Sequence, residues 1–256
     1  MKSWAGVGEA YATSYASLCA GTFDTLLEAL GPAHGRSLLD AGAGTGELVA
    51  RAARWGWVAT GCEPEPTMRA VAERDRPGRS IVSAALPDLP FEDASFDAVT
   101  ANFVLNHVDD PRASAWEMGR VTVREGLLAA TVWTSSPSWF WHEVCERAGQ
   151  TPAAGTRLPP EKDFDRTIGG FSAMLADAGW REVSTVEHAW TWDADPATLW
   201  SSAEGGVASA GLFYRSLDGA GRERFRRGFD ETCAAHGRDG VLSLPHTAAV
   251  AVGHAP

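Results

Sequence analysis

"LLDAGAGTGELVARAA", running from Leu38 to Ala53, decides the fold. With Arg36 and Ser37 before it, "RSLLDAG" reads as a short buried strand. "GELVARAARWG" then carries apolar residues at helical spacing up to a stop at Gly56. Between strand and helix, Gly42, Gly44 and Gly46 alternate with small residues. Such a turn needs backbone angles that glycine reaches without strain, and bare Cα atoms let a ligand approach the main chain. The following helix offers free N–H groups at its start. Strand, turn and helix together are built to hold a small molecule.

The same alternation extends along the chain. "WVATGCEPE" is predicted as a second strand ending in acid, and "EPTMRAVAERD" as a helix whose entry is set by Pro66. "RSIVSAA" and "FDAVTANFVLNHV" supply a third and a fourth strand. The helix "PRASAWEMGRV" leads to the strand "GLLAATVW", the helix "GGFSAMLADAGW" to the alternating strand "REVSTVEHAWTW", and "HTAAVAVGHA" closes the series. Alternation of this kind predicts a doubly wound α/β domain with a mostly parallel sheet covered on both faces.

Three stretches fall outside the pattern: an N-terminal helical segment ending at Gly31-Pro32, residues 134–167, and residues 195–240. We read residues 1–256 as one domain in which 1–30, 134–167 and 195–240 form a lid over one sheet edge. Of the 11 tryptophans, Trp4, Trp133, Trp139, Trp141, Trp190, Trp192 and Trp200 lie in or beside these stretches. They either fill the core between lid and sheet or line an apolar pocket for a planar substrate, beyond the carboxyl ends of the strands.

A chain of 256 residues, 45% hydrophobic and 21% charged, has ample material for one core. Its formal net charge of −11 argues against a nucleic-acid partner, and the basic run from Arg222 to Arg227 reads as a solvated helix face. Cys19, Cys62, Cys145 and Cys233 are far apart, as reduced apolar residues rather than disulfides or metal ligands. There is no metal-binding motif. The N-terminus lacks the apolar core of a signal peptide, and no stretch has the roughly 20 apolar residues that span a membrane. The expectation is a cytoplasmic protein, monomer or homodimer, acting on a small molecule.

The glycine turn discriminates further. A dinucleotide fingerprint is G-x-G-x-x-G, and its last position here holds Glu47. The spacing is G-x-G-x-G, preceded directly by Asp40. Acids suit a cationic sulfonium or ammonium better than a pyrophosphate. At this point the chain resembles the class I S-adenosylmethionine-dependent methyltransferases, in their small-molecule "type 11" branch, from about Gly8 to Gly179. Four blocks carry the likeness in order: "LLDAGAGTG", "GCEPEPTM", "LPDLPFEDASFDAVTANFVLNHVDDP" and "RVTVREGLLAATVW". The resemblance implies a Rossmann-like, seven-stranded, mostly parallel sheet with helical lid insertions, S-adenosylmethionine as cofactor, and a small-molecule methyl acceptor.

It also implies roles. Ala41 and Gly42 would contact the methionine part of the cofactor through main chain, with Asp40 near its ammonium. Gly44 would let ribose and methionine pass close. Glu63, followed by Pro64, would accept hydrogen bonds from both ribose hydroxyls. Met68 would pack under the adenine or simply fill core. The family's usual acid after the third strand is replaced by Ala85, leaving Leu86 to present its N–H to the ring. Asn102 and Phe103 close the fourth strand beside the reactive sulfonium. Tyr11 and Tyr15, four apart and so on one helix face, would fold over the cofactor or pack as core.

Methyl transfer to a hydroxyl benefits from a base, and histidine is suited to that task. His107 stands at the expected mouth, as base, substrate contact or strand-end residue bonded to backbone, and His142 lies in the Trp-rich lid. His188 and His246 border the lid and rank behind them. The leading expectation is methylation of a small, apolar or aromatic molecule, most readily on oxygen, in specialised metabolism. The alternatives are a non-methylating S-adenosylmethionine-binding protein, as scaffold or cyclase, and a nicotinamide-dependent oxidoreductase.

Overall fold

Leu38 and Leu39 disappear completely from solvent, and around them a sheet is assembled that the computed structural model describes for residues 4–135, 138–152 and 158–256. The strands are β1 (Ser37–Ala41), β2 (Val58–Cys62), β3 (Ser80–Val82), β4 (Phe96–Asn102), β5 (Thr122–Trp133), β6 (Arg181–Ala194), β7 (Gly237–Arg238) and β8 (Val241–His254). Their order is β3-β2-β1-β4-β5-β8-β6, with β7 paired only to β8. β1 to β5 pair in parallel, and β8 runs antiparallel between β5 and β6. The expected seven strands are thus present, together with a two-residue eighth.

That eighth strand corrects one boundary. Asp239 and Gly240 both adopt positive φ, 52° and 82°, and reverse the chain into β8. An Asp-Gly pair at the two centres of a tight hairpin is a strong local signal. The last strand therefore starts at Val241, not at His246.

The helices are α1 (Gly8–Thr13), α2 (Tyr15–Cys19), α3 (Phe23–Leu30), α4 (Glu47–Arg54), α5 (Pro66–Asp75), α6 (Pro111–Val121), α7 (Trp139–Arg147), α8 (Ile168–Asp177), α9 (Pro196–Glu204), α10 (Ala208–Ser216) and α11 (Gly219–His236). Local chemistry starts several of them. Pro66 and Pro111 occupy the first turns of α5 and α6, where a missing N–H costs nothing. Glu65, Asp110, Thr167, Asp195 and Asp218 each cap a helix by accepting from its backbone.

Helices cover both faces. α6 and α8 bury Met118, Phe171, Met174 and Leu175 on one side, against Leu39, Ala101, Leu128 and Ala130. α3 and α4 bury Leu26, Leu27, Leu48 and Ala52 on the other, against Leu38, Ala98 and Ala129. Each such large side chain contributes about 1.5–3 kcal/mol relative to exposure. β1 and β4 lie side by side while their connections leave to opposite sides, the place where open α/β sheets bind ligands.

The N-terminal segment is not one helix. Ser14, at φ −112° and ψ −85°, separates α1 from α2, and a 3-10 turn at Ala20–Thr22 separates α2 from α3. α2, α7, α9, α10 and α11 close a second core on the long outer ends of β6 and β8. Phe140, Trp141, Trp192, Trp200, Phe225 and Phe229 are buried there. The segment 134–167 expected to form part of this layer includes residues 136–137 and 153–157, which lie outside the described residues, as do residues 1–3 of the N-terminal element.

Candidate functional site

The glycine turn is pinned before any ligand enters. The N–H groups of Gly42 and Ala43 both donate to the carbonyl of Cys62 at 2.9 Å, tying the end of β1 to that of β2. Gly42 has φ +76°, and a Cβ there would lie 2.5 Å from Cγ2 of Val104. At Gly44, φ is +55°, and a Cβ would approach only Cε1 of Tyr11, at 3.7 Å. Backbone conformation makes both positions glycine positions, and Gly44 keeps its outer face against an aromatic ring.

Two carboxylates flank this turn. Asp40 is buried at the end of β1, where register places it beside Thr100 of β4, whose hydroxyl donates to Oδ1 at 2.8 Å. Burial pushes its carboxyl up to about 7, and the negative charges of Glu63 and Glu47 push the same way. Glu63 is buried just past β2. Its Oε2 accepts from the N–H of Gly44 and its Oε1 from the N–H of Glu65, both at 2.9 Å. Burial also raises its carboxyl above the usual range, against those two hydrogen bonds. Glu47, by contrast, is already paired, with Arg76 at 2.8 Å and the Thr45 hydroxyl at 2.6 Å.

Two buried acids, both with raised proton affinity and Glu63 adding to that of Asp40, make a cradle for a cation, and bare Cα atoms line its floor. A phosphate would meet repulsion there. Thr100 was not singled out from the sequence. Its only signal was a lone hydroxyl inside the apolar strand "FDAVTAN", in register with Asp40.

The other residues named from sequence divide. Ala41 is buried in β1, and Tyr11 lies over the turn, half-buried, edge-on to Trp4 with ring centres 6.1 Å apart. Burial raises its hydroxyl well above the ordinary tyrosine value, and the Cys19 thiol lies beside it. Tyr15 packs against the same Val7–Met68–Val207 cluster as Tyr11, but past the turn at Ser14 it also reaches the second core, where it accepts from Nε1 of Trp141 at 2.7 Å. Met68 is buried with Val7 and Val207 under the N-terminal segment. Pro64 and Ala85 are exposed, and Leu86 is half-buried against the α6/α8 face.

Asn102 uses its side chain structurally. Its Oδ1 accepts from Thr22 and Thr131, each at 2.7 Å, and its Nδ2 donates to the carbonyl of Cys19. Phe103, buried and at φ +58°, stacks on Trp133 with ring centres 3.8 Å apart and planes 8° apart. His107 lies just beyond, edge-on to Trp4 at 5.1 Å. His142 is exposed on α7 and is not brought to this site. Among the described residues, no cluster of three or more His, Cys, Asp or Glu is placed to hold a metal ion, and no helix is long and apolar enough to cross a membrane.

Comparison with known proteins adds the decisive observation. The family described as "Methyltransferase domain" matches residues 39–130, from the first strand to the fifth. A demethylmenaquinone methyltransferase from Beutenbergia cavernae is 34% identical over 171 residues, spanning 61% of this chain and 70% of that protein. The chain belongs to the class I S-adenosylmethionine-dependent methyltransferases. Among solved structures, the YcgJ protein from Bacillus subtilis superposes with a TM-score of 0.57 at 16% identity, over 91% of this chain and 97% of that one. The cyclase SpnF gives a TM-score of 0.53 at 21% identity, over 91% and 80%. These two likenesses show the fold alone, which hosts more than one chemistry.

The methyltransferase uses S-adenosylmethionine, which supplies a methyl group already activated on a sulfonium. The cation cradle of Asp40, Glu63 and the glycine turn fits such a molecule, with its ammonium, sulfonium and ribose diol. The nicotinamide alternative falls with the family assignment.

Proposed function

We propose that this methyltransferase acts on a small, flat, apolar acceptor bearing an aromatic hydroxyl. One observation carries the reading. Immediately past β4, and so next to the cradle, Phe103 begins an aromatic wall that continues through Trp133 to Trp190, with 5.5 Å between the two indoles. Such a surface favours stacking against a planar ring and excludes water. The named substrate of the Beutenbergia cavernae relative, a quinone, is a molecule of that shape.

In this reading Asp40 faces the cofactor's ammonium, Glu63 accepts from its ribose, and Gly42 and Gly44 let it lie against the main chain. Tyr11 covers it from the N-terminal side. The described parts of the N-terminal segment, α7, and residues 195–240 act as a lid that keeps water out and shapes the acceptor site. The chain aligns an acceptor atom with an activated methyl; the hydroxyl proton leaves to a nearby group or water. His107, four residues after Phe103 and edge-on to Trp4, is one candidate for that group.

The test is incubation of the full chain with methyl-labelled S-adenosylmethionine and a panel of phenols and naphthols. Label is expected in a methyl ether of a small aromatic molecule. Label found only on carbon would move the acceptor atom, and no transfer to any aromatic acceptor would defeat the proposal.

A further inference from the structure

β8 lies between β5 and β6, and its register sets His246 opposite Trp190. On the same face stand Trp133, whose cross-strand partner is Ala248, and Trp192, whose partner is Leu244. The imidazole centre is 5.7 Å from the ring centre of Trp133, 5.8 Å from Trp190 and 6.3 Å from Trp192. These rings stand at the same end of the sheet as the glycine turn and continue the wall that Phe103 begins.

His246 is 5% exposed, and its Nε2 is buried with no hydrogen-bond partner among the described residues. A buried polar atom left unpaired costs about 1–3 kcal/mol, so a partner is expected to arrive from outside the chain. The imidazole also borders a hollow of about 10 Å³ among Tyr15, Trp139, Trp141, Trp192 and Leu244. That space admits a water at most as the lid now packs. Burial lowers the imidazole to about 4, so at neutral pH the ring is uncharged, with one nitrogen free to accept.

We infer that His246 reads the acceptor: its Nε2 accepts the O–H of a flat aromatic molecule held among Trp133, Trp190 and Trp192, once α2 and α7 part to admit it. This rests on the reading above that the acceptor is aromatic and hydroxylated. It adds which side chain selects for the hydroxyl. A site that accepts from a hydroxyl discriminates strongly against an analogue lacking it, because the buried nitrogen is then left unpaired.

The probes are 1-naphthol and 1-methoxynaphthalene, which differ in the donated proton, with binding to the full chain measured by calorimetry in the presence of S-adenosylhomocysteine. The wild-type protein is expected to prefer 1-naphthol by tenfold or more. In His246→Phe, which keeps a flat buried ring, that preference should fall to near unity with 1-methoxynaphthalene binding retained. His246→Gln, whose amide oxygen can accept, should restore part of it. S-adenosylhomocysteine affinity, measured alone, should be the same in all three and shows that each variant is folded.

A preference for 1-naphthol that survives in His246→Phe overturns the inference and leaves His246 as the holder of a buried water. Absence of preference in the wild type overturns it as well. Failure of the broader reading looks different: neither naphthalene binds and no aromatic acceptor is labelled, while S-adenosylhomocysteine still binds.

Discussion

The two halves of the sheet's carboxyl edge are built by opposite means. On the β3-β2-β1-β4 side, the site is made of main chain, three glycines and two acids, all supplied by strand ends and the turns after them. On the β5-β8-β6 side, it is made of large rings brought together across antiparallel strands and roofed by distant helices. The first half suits an ion that every family member shares. The second suits an acceptor whose identity varies, because ring shape and lid packing can change without disturbing the turn. One edge of one sheet can therefore keep its cofactor and change its substrate.

The sharpest way to break this comparison is Glu63→Ala. It removes a buried two-oxygen acceptor from the first half and should weaken cofactor binding by about 100-fold or more, the effect of losing two charged hydrogen bonds worth roughly 1.5–3 kcal/mol each. Calorimetry with S-adenosylhomocysteine checks it. Unchanged affinity would mean that the first half does not hold the ribose.

A smaller effect, about tenfold, is expected from Asp40→Asn, and pH gives it a sign. The carboxyl of Asp40 sits near 7 in the folded chain, above its unfolded value, so the native state binds the proton more tightly. Ligand-free stability should fall as pH rises from about 4 to about 7, by this linkage. Affinity for a cation should rise over the upper part of that window, as the carboxylate ionises. In Asp40→Asn the ligand-free protein should lose much of that decline, and affinity should become nearly flat with pH. Thermal melts and calorimetry at pH 6 and 8 measure both. A variant that keeps the wild-type slope would remove Asp40 from the cation cradle.

The smallest effect sharpens the other half. Tyr15→Phe leaves Nε1 of Trp141 without its acceptor in the second core. The expected result is a loss of about 1 kcal/mol, a melting temperature lower by about 2–4 °C, and unchanged cofactor affinity. A marked loss of cofactor binding would instead return Tyr15 to the first half, where sequence spacing had put it.

Spacing along the chain does not by itself decide where two side chains go. Tyr11 and Tyr15 are four apart, and an unbroken helix would face them the same way. The backbone turns at Ser14, so that both touch the cluster around Val7 and Met68 but only Tyr15 reaches the second core. Similarly, the Asp239-Gly240 turn was present as a dipeptide, yet the helical pattern before it obscured the strand it starts. His142 looked promising among tryptophans in "WFWHEV", but its neighbours face the core and it faces solvent.

By itself the sequence determined the alternation of strand and helix, the glycine turn after β1 and the acids beside it. These are local: each depends on residues within a few positions, through backbone angles, capping and periodicity. Only the tertiary structure decided that Thr100 meets Asp40, that Asn102 ties down the N-terminal segment, and that His246 stands among Trp133, Trp190 and Trp192. Those meetings are set by register between strands as far apart in sequence as β5 and β8. A one-residue slip would turn every side chain to the opposite face, and no short pattern records it.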